Sequence, residues 1–518
     1  MVVALLLWHG LSVTAEPVRP SAVPPAGPEP KIMTFNAMQM GGLIKGHDNI
    51  GRAKNLRNSA DLLANDVLVL TEFFYVKETL NPYEKDRADE FLDQLASAYP
   101  YRTPIVGANT HTKWTWYHDR HKGLANYNGG VVVLSKWKIA KQVGVEYTPD
   151  TLCGGDWYSD KGFAYVRIEP PHRAPLHVVG THTQSDDADC RNKGSNLHHG
   201  VPQRKQQFTD INMFITSPSQ WIKNADKDAK VEISTPKAGE RVVIAGDLNV
   251  DMYDSTEYLS MNQTLTTVEP TKYFPKNVGE NSRKAYSFDT ERNMITRSRY
   301  YSGTETTELL DHVLYRKGHP HPSQYVNAVH HIWSPKYERR YPSKHTDSVF
   351  YYHLERNLSD HYAVSNWHRC PDEAAKACTL TRVTLTSAKY TETGNGLTSV
   401  GGIKVDDVPI WQHPKPRTFD DLFAEPVAQR ANYLDRWDQT GAPVILDVLV
   451  LGPDGQYGYK TRTHDSVELK ATPGEHTITV DGSGGWVAEP KRDLIVKYTI
   501  SRIAATPYSW PNHAPASW

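Results

Sequence analysis

Neither sign of charge is in excess in this sequence, in which 58 lysines and arginines face 59 aspartates and glutamates over 518 positions. A chain without a global basic field is not steered to nucleic acid or to an anionic surface. Long apolar runs are also missing after the first residues, and a membrane-spanning helix needs about 18 or more such residues in succession. The composition therefore predicts no nucleic-acid partner and no transmembrane anchor, and we expect a monomer.

Cysteine is scarce as well, with four residues and no Cys-x-x-Cys pair. Four cysteines allow three disulfide pairings, and their proximity along the chain favours Cys153–Cys190 and Cys370–Cys378. Metal binding by these thiols is the alternative. Two disulfides would suit an oxidising compartment.

The first residues support that compartment. Residues 1–15, "MVVALLLWHGLSVTA", form a short apolar segment with a small-x-small ending, which is typical of a secretory signal peptide. A buried N-terminal strand or helix is the alternative. Residues 16–30 contain six prolines and predict an extended linker. We therefore expect a secreted protein whose folded part begins at Lys31.

The rest of the chain divides into two parts of different texture. Residues 31–369 mix helical segments such as "RADEFLDQLASAY" with strands such as "DVLVLTEFF" and "RVVIAGDLNVD", several of them apolar on both faces. Such strands are typical of a sheet buried inside a layered α/β fold. Residues 370–518 show short strands separated by turn signals, which predicts a smaller all-β sandwich domain.

Polar residues recur where the predicted strands of the first part end. These residues are Asn36, Glu72, His182, Gln184, Asp247, Asn249, Asp311, Asp360 and His361. Any one of them could be a helix cap or a turn residue. Strand ends of a layered sheet converge on one edge, however, where such folds bind ligands. Carboxylates for a hard cation and histidines for proton transfer together predict phosphoester hydrolysis. Asp247 and Asn249 are two positions apart, so on extended chain both would point to one face.

The motifs "TE", "GDLN" and "SDH" resemble, as a set, those of the endonuclease/exonuclease/phosphatase superfamily. "GTHTQSDDADC", "CGGDWYSDKGFAYVRI" and "NGGVVVLSKWKI" are similar to segments of bacterial-type neutral sphingomyelinase (sphingomyelinase C). The resemblance covers about residues 31–369. It implies a four-layered, DNase-like α/β sandwich and a Mg²⁺-dependent phosphodiesterase that hydrolyses sphingomyelin to ceramide and phosphocholine. Mn²⁺, Co²⁺ and a second divalent ion are alternatives for the cofactor.

The resemblance also implies roles for the strand-end residues that move protons. His361 would be the general base that activates water, and Asp311 would orient it. His182 would stabilise or protonate the leaving alkoxide. For Asp360 a metal ligand and a histidine partner are both open.

The remaining strand-end residues would hold the metal and the phosphate. Glu72 would bind the metal, with Asn36 beside it. Asp247 and Asn249 would steady the nucleophilic water and the phosphoryl oxygens.

Two aromatic clusters are candidates for contact with lipid. The stretch before the catalytic pair resembles in position the membrane-facing hairpin of the family, and its candidate residues are Trp333, Tyr337, Tyr341, Phe350, Tyr351 and Tyr352. Packing inside strands is the alternative for half of them. Trp114, Trp116 and Tyr117 could form a choline pocket by cation–π attraction or could be ordinary core residues.

Two rival functions remain at this stage. A secreted nuclease or another phosphodiesterase on the same fold would need basic residues along the strand-end groove. A catalytically inactive adhesion protein would use the β-sandwich, where Asp406 and Asp407 could bind Ca²⁺ or form a turn.

Overall fold

A computed structural model describes the chain between Glu29 and Ala505 in segments. The described residues are 29–39, 49–75, 82–108, 113–120, 127–187, 189–190, 200–270, 286–290, 293, 295–296, 306–323, 325–330, 332–342, 350–367, 378–390, 399–405, 408–412, 433–437, 444–452, 460–463, 467–470, 472–480 and 494–505. The predicted signal peptide, Asp406 and Asp407 lie outside these residues, and so does the side-chain pairing predicted for Cys370 and Cys378.

The first part of the chain alternates strands and helices. Its strands are β1 Ile32–Gln39, β2 Val67–Phe73, β3 Tyr101–Arg102, β4 Trp116–His118, β5 Val132–Ser135, β6 Lys138–Glu146, β7 Gly162–Glu169, β8 Leu176–His182, β9 Arg241–Asp247, β10 Thr267–Val268, β11 Phe288–Asp289, β12 Thr307–Glu308, β13 Asp311–Arg316, β14 Ala328–His330, β15 Trp333–Pro342, β16 Phe350–Asn357 and β17 Ala363–Ser365. Its helices are α1 Asn49–Leu56, α2 Ala60–Leu63, α3 Pro82–Gln94, α4 Val201–Thr216, α5 Pro218–Ala225 and α6 Ser255–Leu265, with 3-10 helices at Pro149–Thr151 and Gly154–Tyr158.

Two large sheets form the centre of this part. The first has the strand order β14-β17-β1-β2-β5-β3, and the second has the order β10-β13-β9-β8-β7-β6-β4. Strands β1 and β2 are parallel neighbours in the first sheet, as β8 and β9 are in the second. All residues of β1 and β8 are buried, because both faces of their sheets are covered.

The two sheets pack face to face through small and β-branched side chains. Val69 and Val133 of the first sheet belong to one apolar cluster with Val178 and Val243 of the second. Gly180 permits this approach, because a Cβ atom there would lie 2.8 Å from Val133 Cγ2. Fully burying a valine or leucine stabilises the fold by roughly 1.5–3 kcal/mol, so this layer contributes strongly to stability.

Helices cover the outer face of each sheet. Phe91 and Leu92 of α3 share a cluster with Leu68 of β2 on the first sheet. Phe208 and Phe214 of α4 join strand residues of the second sheet in another cluster. The layers are therefore helix, sheet, sheet and helix, which confirms the predicted four-layered α/β sandwich.

The described part of the C-terminal region consists of strands. These are β18 Cys378–Tyr390, β19 Ser399–Val405, β20 Val408–Gln412, β21 Tyr433–Trp437, β22 Val444–Gly452, β23 Lys460–Thr463, β24 Val467–Leu469, β25 Gly474–Val480 and β26 Leu494–Ala505. They form an antiparallel sheet of order β21-β18-β26-β25 and a second of order β20-β19-β22-β23, in which β24 also pairs with β22. Two antiparallel sheets agree with the all-β character predicted for this region.

Candidate active site

Strand register brings the predicted strand-end residues to one edge of the two sheets. Asn36 pairs in register with Thr71, so it lies beside Glu72 at the end of β2. In the second sheet, Asp247 is in register with both His182 on β8 and Asp311 on β13. Residues that are far apart in the sequence therefore form one cluster where the two sheets meet.

Asp247 lies at the centre of this cluster and is 1% exposed. Its Oδ2 accepts a hydrogen bond from Asn36 Nδ2 at 2.9 Å and lies 3.7 Å from His182 Nε2 and 3.9 Å from His361 Nε2. Burial and the charge of Asp311 raise the pKa of Asp247, whereas His361 and Asn36 lower it. One carboxylate therefore contacts both histidines and both sheets.

Asn249 reaches the site through a turn rather than along an extended strand. Strand β9 ends at Asp247, and Asn249 has a left-handed φ of 49°. Its backbone N–H donates to Asp247 Oδ1 at 3.0 Å, and its Nδ2 donates to the Thr183 carbonyl at 3.0 Å. The prediction that strand alternation points Asp247 and Asn249 to one face is wrong, because a turn follows Asp247 in place of extended chain.

His361 has Asp311 as its partner. His361 Nδ1 and Asp311 Oδ2 are 2.7 Å apart and form a hydrogen bond. Both side chains are buried. Burial lowers the pKa of His361, but the carboxylates of Asp311 and Asp247 outweigh it and raise that pKa well above its ordinary value. With Nδ1 held by Asp311, Nε2 is the ring nitrogen left for chemistry.

Asp360 lies beside Glu72 rather than in the position of the histidine partner. Its Oδ1 accepts from the Ser359 hydroxyl at 3.2 Å. Burial first, and then the charge of Asp360, raise the pKa of Glu72 from 4.5 to about 7. The charge of Asp360 therefore disfavours the ionised form of Glu72.

This pair of carboxylates fits a divalent metal ion. A hard cation prefers carboxylate and carbonyl oxygens, and it would offset the repulsion that raises the pKa of Glu72. Ligand atoms of Glu72, His182 and Asp247 also lie within 4.8 Å of one another. The residues present thus form a group that could hold a metal.

Lys161 is a functional residue that the strand-end rule missed. Its ammonium lies 3.0 Å from His182 Nε2 and 2.7 Å from Asp156 Oδ2, and its side chain is 1% exposed. Burial, and then the charges of Lys161 and His361, lower the pKa of His182 well below 6.5. Lys161 comes immediately before β7, so it precedes a strand instead of following one. The signal in the sequence was a lysine inside the quoted "SDKGF" segment.

The disulfide Cys153–Cys190 closes the loop next to His182. Gln184 supports this loop, since its Oε1 accepts from the Cys153 N–H at 2.8 Å and its Nε2 donates to the Cys153 carbonyl at 3.3 Å. Asp186 binds the buried Arg204 at 2.6 Å. The acidic stretch after Gln184 is therefore partly structural.

A cavity of about 740 Å³ opens over the cluster. Glu72, Asp247, Asn249, Asp360 and His361 line it, whereas His182 is 2% exposed and lies behind its wall. The other polar and aromatic lining residues are Phe74, Tyr127, Asp156, Ser159, Ser185, Asp186, Asp187, Asp251, Asp254, Glu257, Phe288 and Glu308. Most of the charge at its surface is thus negative.

The aromatic residues for which a choline pocket and core packing were both open pack in the core. Trp114 and Trp116 are 6% and 9% exposed, and the Tyr117 hydroxyl donates to Glu146 Oε1 at 2.6 Å. The ring of Trp116 meets that of Trp221 edge to face. None of the three lines the described cavity, so the core alternative is correct for this cluster.

The candidate membrane residues lie on a hairpin of β15 and β16. Tyr341 is in register with Tyr351, and Tyr352 is in register with Arg340. The side chains of this hairpin lie outside the description, so their predicted lipid contact stays a prediction.

Comparison with known proteins agrees with this fold. Residues 33–361 match the family model named Endonuclease/Exonuclease/phosphatase family. The chain therefore belongs to the endonuclease/exonuclease/phosphatase family.

Within that family the similarity is to bacterial sphingomyelinase C. The chain is 33% identical over 339 residues to Sphingomyelinase C 2 of Leptospira interrogans, covering 65% of this chain and 45% of that protein. The crystal structure of sphingomyelinase C from Streptomyces griseocarneus matches with 32% identity and a TM-score of 0.52, covering 65% of this chain and 99% of that one. Beta toxin of Staphylococcus aureus with bound magnesium ions matches with 26% identity and a TM-score of 0.51, covering 65% and 98%. The resemblance of the sequence motifs is thus confirmed.

The chain spans about half the length of the curated Leptospira relative. None of the helices in the described part of the chain has the length and hydropathy that a membrane span requires.

Proposed function

We propose that this protein is a secreted, Mg²⁺-dependent phosphodiesterase that hydrolyses sphingomyelin to ceramide and phosphocholine. The observation that carries the proposal is one cavity in which the His361–Asp311 pair and Asp247 lie beside the carboxylates of Glu72 and Asp360. A base and an anionic metal pocket in one cavity are the parts that phosphoester hydrolysis needs. The named relatives support sphingomyelin as the substrate.

In this proposal His361 activates the attacking water as a neutral imidazole, a form that the positive charge of a metal ion held by the adjoining carboxylates would favour. Asp311 holds Nδ1, so Nε2 accepts a proton as the water oxygen forms its bond to phosphorus. The bond between phosphorus and the ceramide oxygen breaks, and the released alkoxide takes a proton from solvent. Asn249 lines the cavity and would donate to a phosphoryl oxygen.

Glu72 and Asp360, with Asn36 beside them, would hold the Mg²⁺ ion. When bound there, the ion would supply positive charge that neutralises the phosphate oxygens. Mn²⁺ or Co²⁺ could replace Mg²⁺. A second ion could be held by Glu72, His182 and Asp247, whose ligand atoms lie close together.

His182, as a neutral imidazole, would stabilise the leaving oxygen. Its lowered pKa, caused by burial and by Lys161, keeps the imidazole uncharged near neutral pH. Because Nε2 accepts from the Lys161 ammonium, the neutral ring would donate through Nδ1–H, which has no hydrogen-bond partner among the described residues, and it is a poor source of a whole proton. Of the two roles predicted for His182, stabilisation is therefore the one that we propose.

The acidic lining favours a choline ester over a nucleic acid. Asp186, Asp251, Glu257 and Glu308 line the cavity, and a polyanion would meet repulsion there. A quaternary ammonium would instead be attracted to the carboxylates and to the ring of Phe288. This charge distribution argues against the nuclease alternative.

An assay with sphingomyelin and DNA side by side tests the function. We expect ceramide and phosphocholine from sphingomyelin with Mg²⁺, and no cleavage of DNA. Cleavage of DNA without release of ceramide would overturn the proposal.

We further propose that residues 31–369 form the catalytic domain and residues 370–518 an accessory domain that aids surface or partner binding. Deletion of residues 375–518 should then reduce turnover on vesicles more than turnover on detergent-dispersed sphingomyelin. Equal losses on both substrates would contradict an accessory role in surface binding.

A further inference from the structure

Two exposed aromatic side chains stand at the rim of the cavity. Trp157 is 37% exposed and Tyr158 is 51% exposed, and their rings meet edge to face with centroids 5.4 Å apart. Their chain neighbours Gly155, Asp156 and Ser159 line the cavity. Neither ring lines the cavity itself, so the aromatic pair belongs to a segment that forms part of the cavity wall and not to a distant surface.

The aromatic pair lies on the short 3-10 helix Gly154–Tyr158. Hydrogen bonds, an ion pair and a disulfide hold this helix in place. Asp156 Oδ2 accepts from Lys161 Nζ and from the Ser185 N–H, both at 2.7 Å. The Gly155 N–H donates to Asp187 Oδ2 at 2.9 Å, and the disulfide Cys153–Cys190 closes the loop. Because this segment is already ordered, binding through its aromatic rings would not carry the entropic cost of ordering a flexible loop.

The same rim is negatively charged. The Asp186 side chain is 53% exposed, and Asp187 also lines the cavity. The buried cations nearby, Lys161 and Arg204, are already in ion pairs with carboxylates. A surface of this charge repels anionic lipids, whereas a zwitterionic surface with outward ammonium groups suits it.

We propose that Trp157 and Tyr158 form an interfacial contact with a membrane of zwitterionic choline lipids. Tryptophan and tyrosine rings are favoured at the boundary between lipid and water, because one end is apolar and the other can form hydrogen bonds. Contact at the rim would bring the choline headgroups over the cavity mouth. The choice of a lipid surface rests on the proposed function, in which the cavity takes a lipid headgroup.

Tyr101 is a matched control on the same protein. It is 41% exposed, close to the exposure of the rim pair. It pairs in register with Ser135, which pairs with Val67 at the start of β2, whereas Glu72 lies near the other end of that strand. Tyr101 is therefore an exposed aromatic residue at the end of the sheet opposite to the site.

The test measures binding and turnover separately for W157A, Y158A, the double variant and Y101A. Binding is measured by sedimentation with phosphatidylcholine vesicles. Turnover is measured on vesicles that contain sphingomyelin and on detergent-dispersed sphingomyelin. In the double variant we expect the partition coefficient to fall about tenfold, which is the loss that about 1.4 kcal/mol gives. Turnover on dispersed substrate should change less than about twofold, and W157F should recover most of the binding, because an aromatic ring remains.

The outcomes separate this inference from the proposed function. Unchanged vesicle binding in the double variant, or an equal loss in Y101A, would overturn the contact. Equal losses on vesicles and on dispersed substrate would also overturn it, since the rim would then only support the site. Stronger binding to vesicles enriched in phosphatidylglycerol would contradict the choice of lipid. Rim-dependent binding without sphingomyelin hydrolysis would leave the contact standing and overturn the proposed function.

Discussion

Two histidines lie at one cavity, His361 in its lining and His182 behind its wall, in opposite electrostatic surroundings. On one wall, His361 meets the carboxylates of Asp311 and Asp247, which raise its pKa well above the ordinary value. On the other wall, burial and the ammonium of Lys161 lower the pKa of His182 well below it. The two histidines therefore differ in pKa because their charged neighbours differ, and those neighbours influence whether the protonated or the neutral ring is favoured.

Asp247 connects the two walls. Its Oδ2 lies 3.7 Å from His182 Nε2 and 3.9 Å from His361 Nε2. In the proposed mechanism, proton transfer at His361 would therefore occur beside a carboxylate that His182 also approaches. Substitutions that alter the surroundings of one histidine at a time test this difference.

The largest effect should follow the loss of the proposed base. His361→Ala should lower kcat on dispersed sphingomyelin by about 10³-fold, because no group then accepts the proton of the water. Vesicle binding and the circular dichroism spectrum should match those of the unchanged protein. Turnover that survives this substitution would remove His361 as the base and would leave the two walls without distinct roles.

Asp311→Asn should have the next largest effect. The amide keeps the shape of the side chain but removes the charge that holds His361 Nδ1–H, so we expect kcat to fall about 10²-fold. The pKa of His361 should also fall, since a carboxylate 2.7 Å away raises it. A titration by NMR that finds this pKa unchanged would contradict the electrostatic difference between the walls.

The metal pocket between the walls should show a pH dependence of a definite sign. The folded pKa of Glu72 is about 7 against 4.5 unperturbed, so in metal-free protein the stability from its proton is present below about 4.5 and is lost as pH rises towards 7. If Glu72 holds the metal as proposed, Mg²⁺ would bind the carboxylate and compete with this proton. At about 100 times its dissociation constant, Mg²⁺ should raise the free energy of unfolding by about 2.7 kcal/mol above pH 7.

Thermal unfolding with and without Mg²⁺ checks this dependence. The stabilisation should shrink as the pH falls below about 6. In Glu72→Gln it should be largely absent at every pH. A stabilisation that grows as the pH falls would contradict the assignment of Glu72 to the metal.

The smallest effect concerns the His182 wall. Lys161→Met removes the ammonium 3.0 Å from His182 Nε2, so the pKa of His182 should rise towards 6.5. We expect kcat to fall about tenfold, which corresponds to about 1.4 kcal/mol of barrier. The pH profile of kcat should also gain a limb that the unchanged protein lacks. An unchanged His182 titration would show that burial alone sets this pKa.

The sequence allowed much of this site to be predicted from one regularity. Buried strands followed by polar residues pointed to Asn36, Glu72, His182, Asp247 and Asp311, and strand register brings them to one edge. The layers were predictable for the same reason, because strands apolar on both faces require a covering layer on each side.

Other features depend on tertiary contacts that a linear pattern does not contain. Lys161 lies immediately before β7 and reaches His182 only because β7 and β8 are antiparallel neighbours. The turn at Asn249 interrupts the alternation expected there. The Trp114 and Trp116 cluster could be assigned to the core only once its burial was known.

The most direct measurement follows the atoms of the proposed reaction. Sphingomyelin is incubated with the protein and Mg²⁺ in water enriched in heavy oxygen, and the products are analysed by mass spectrometry. We predict ceramide of ordinary mass and phosphocholine carrying one heavy oxygen atom, with neither product formed under chelator or by the His361→Ala variant. Heavy oxygen in ceramide, or the same yield of products under chelator, would contradict metal-dependent attack of water on phosphorus.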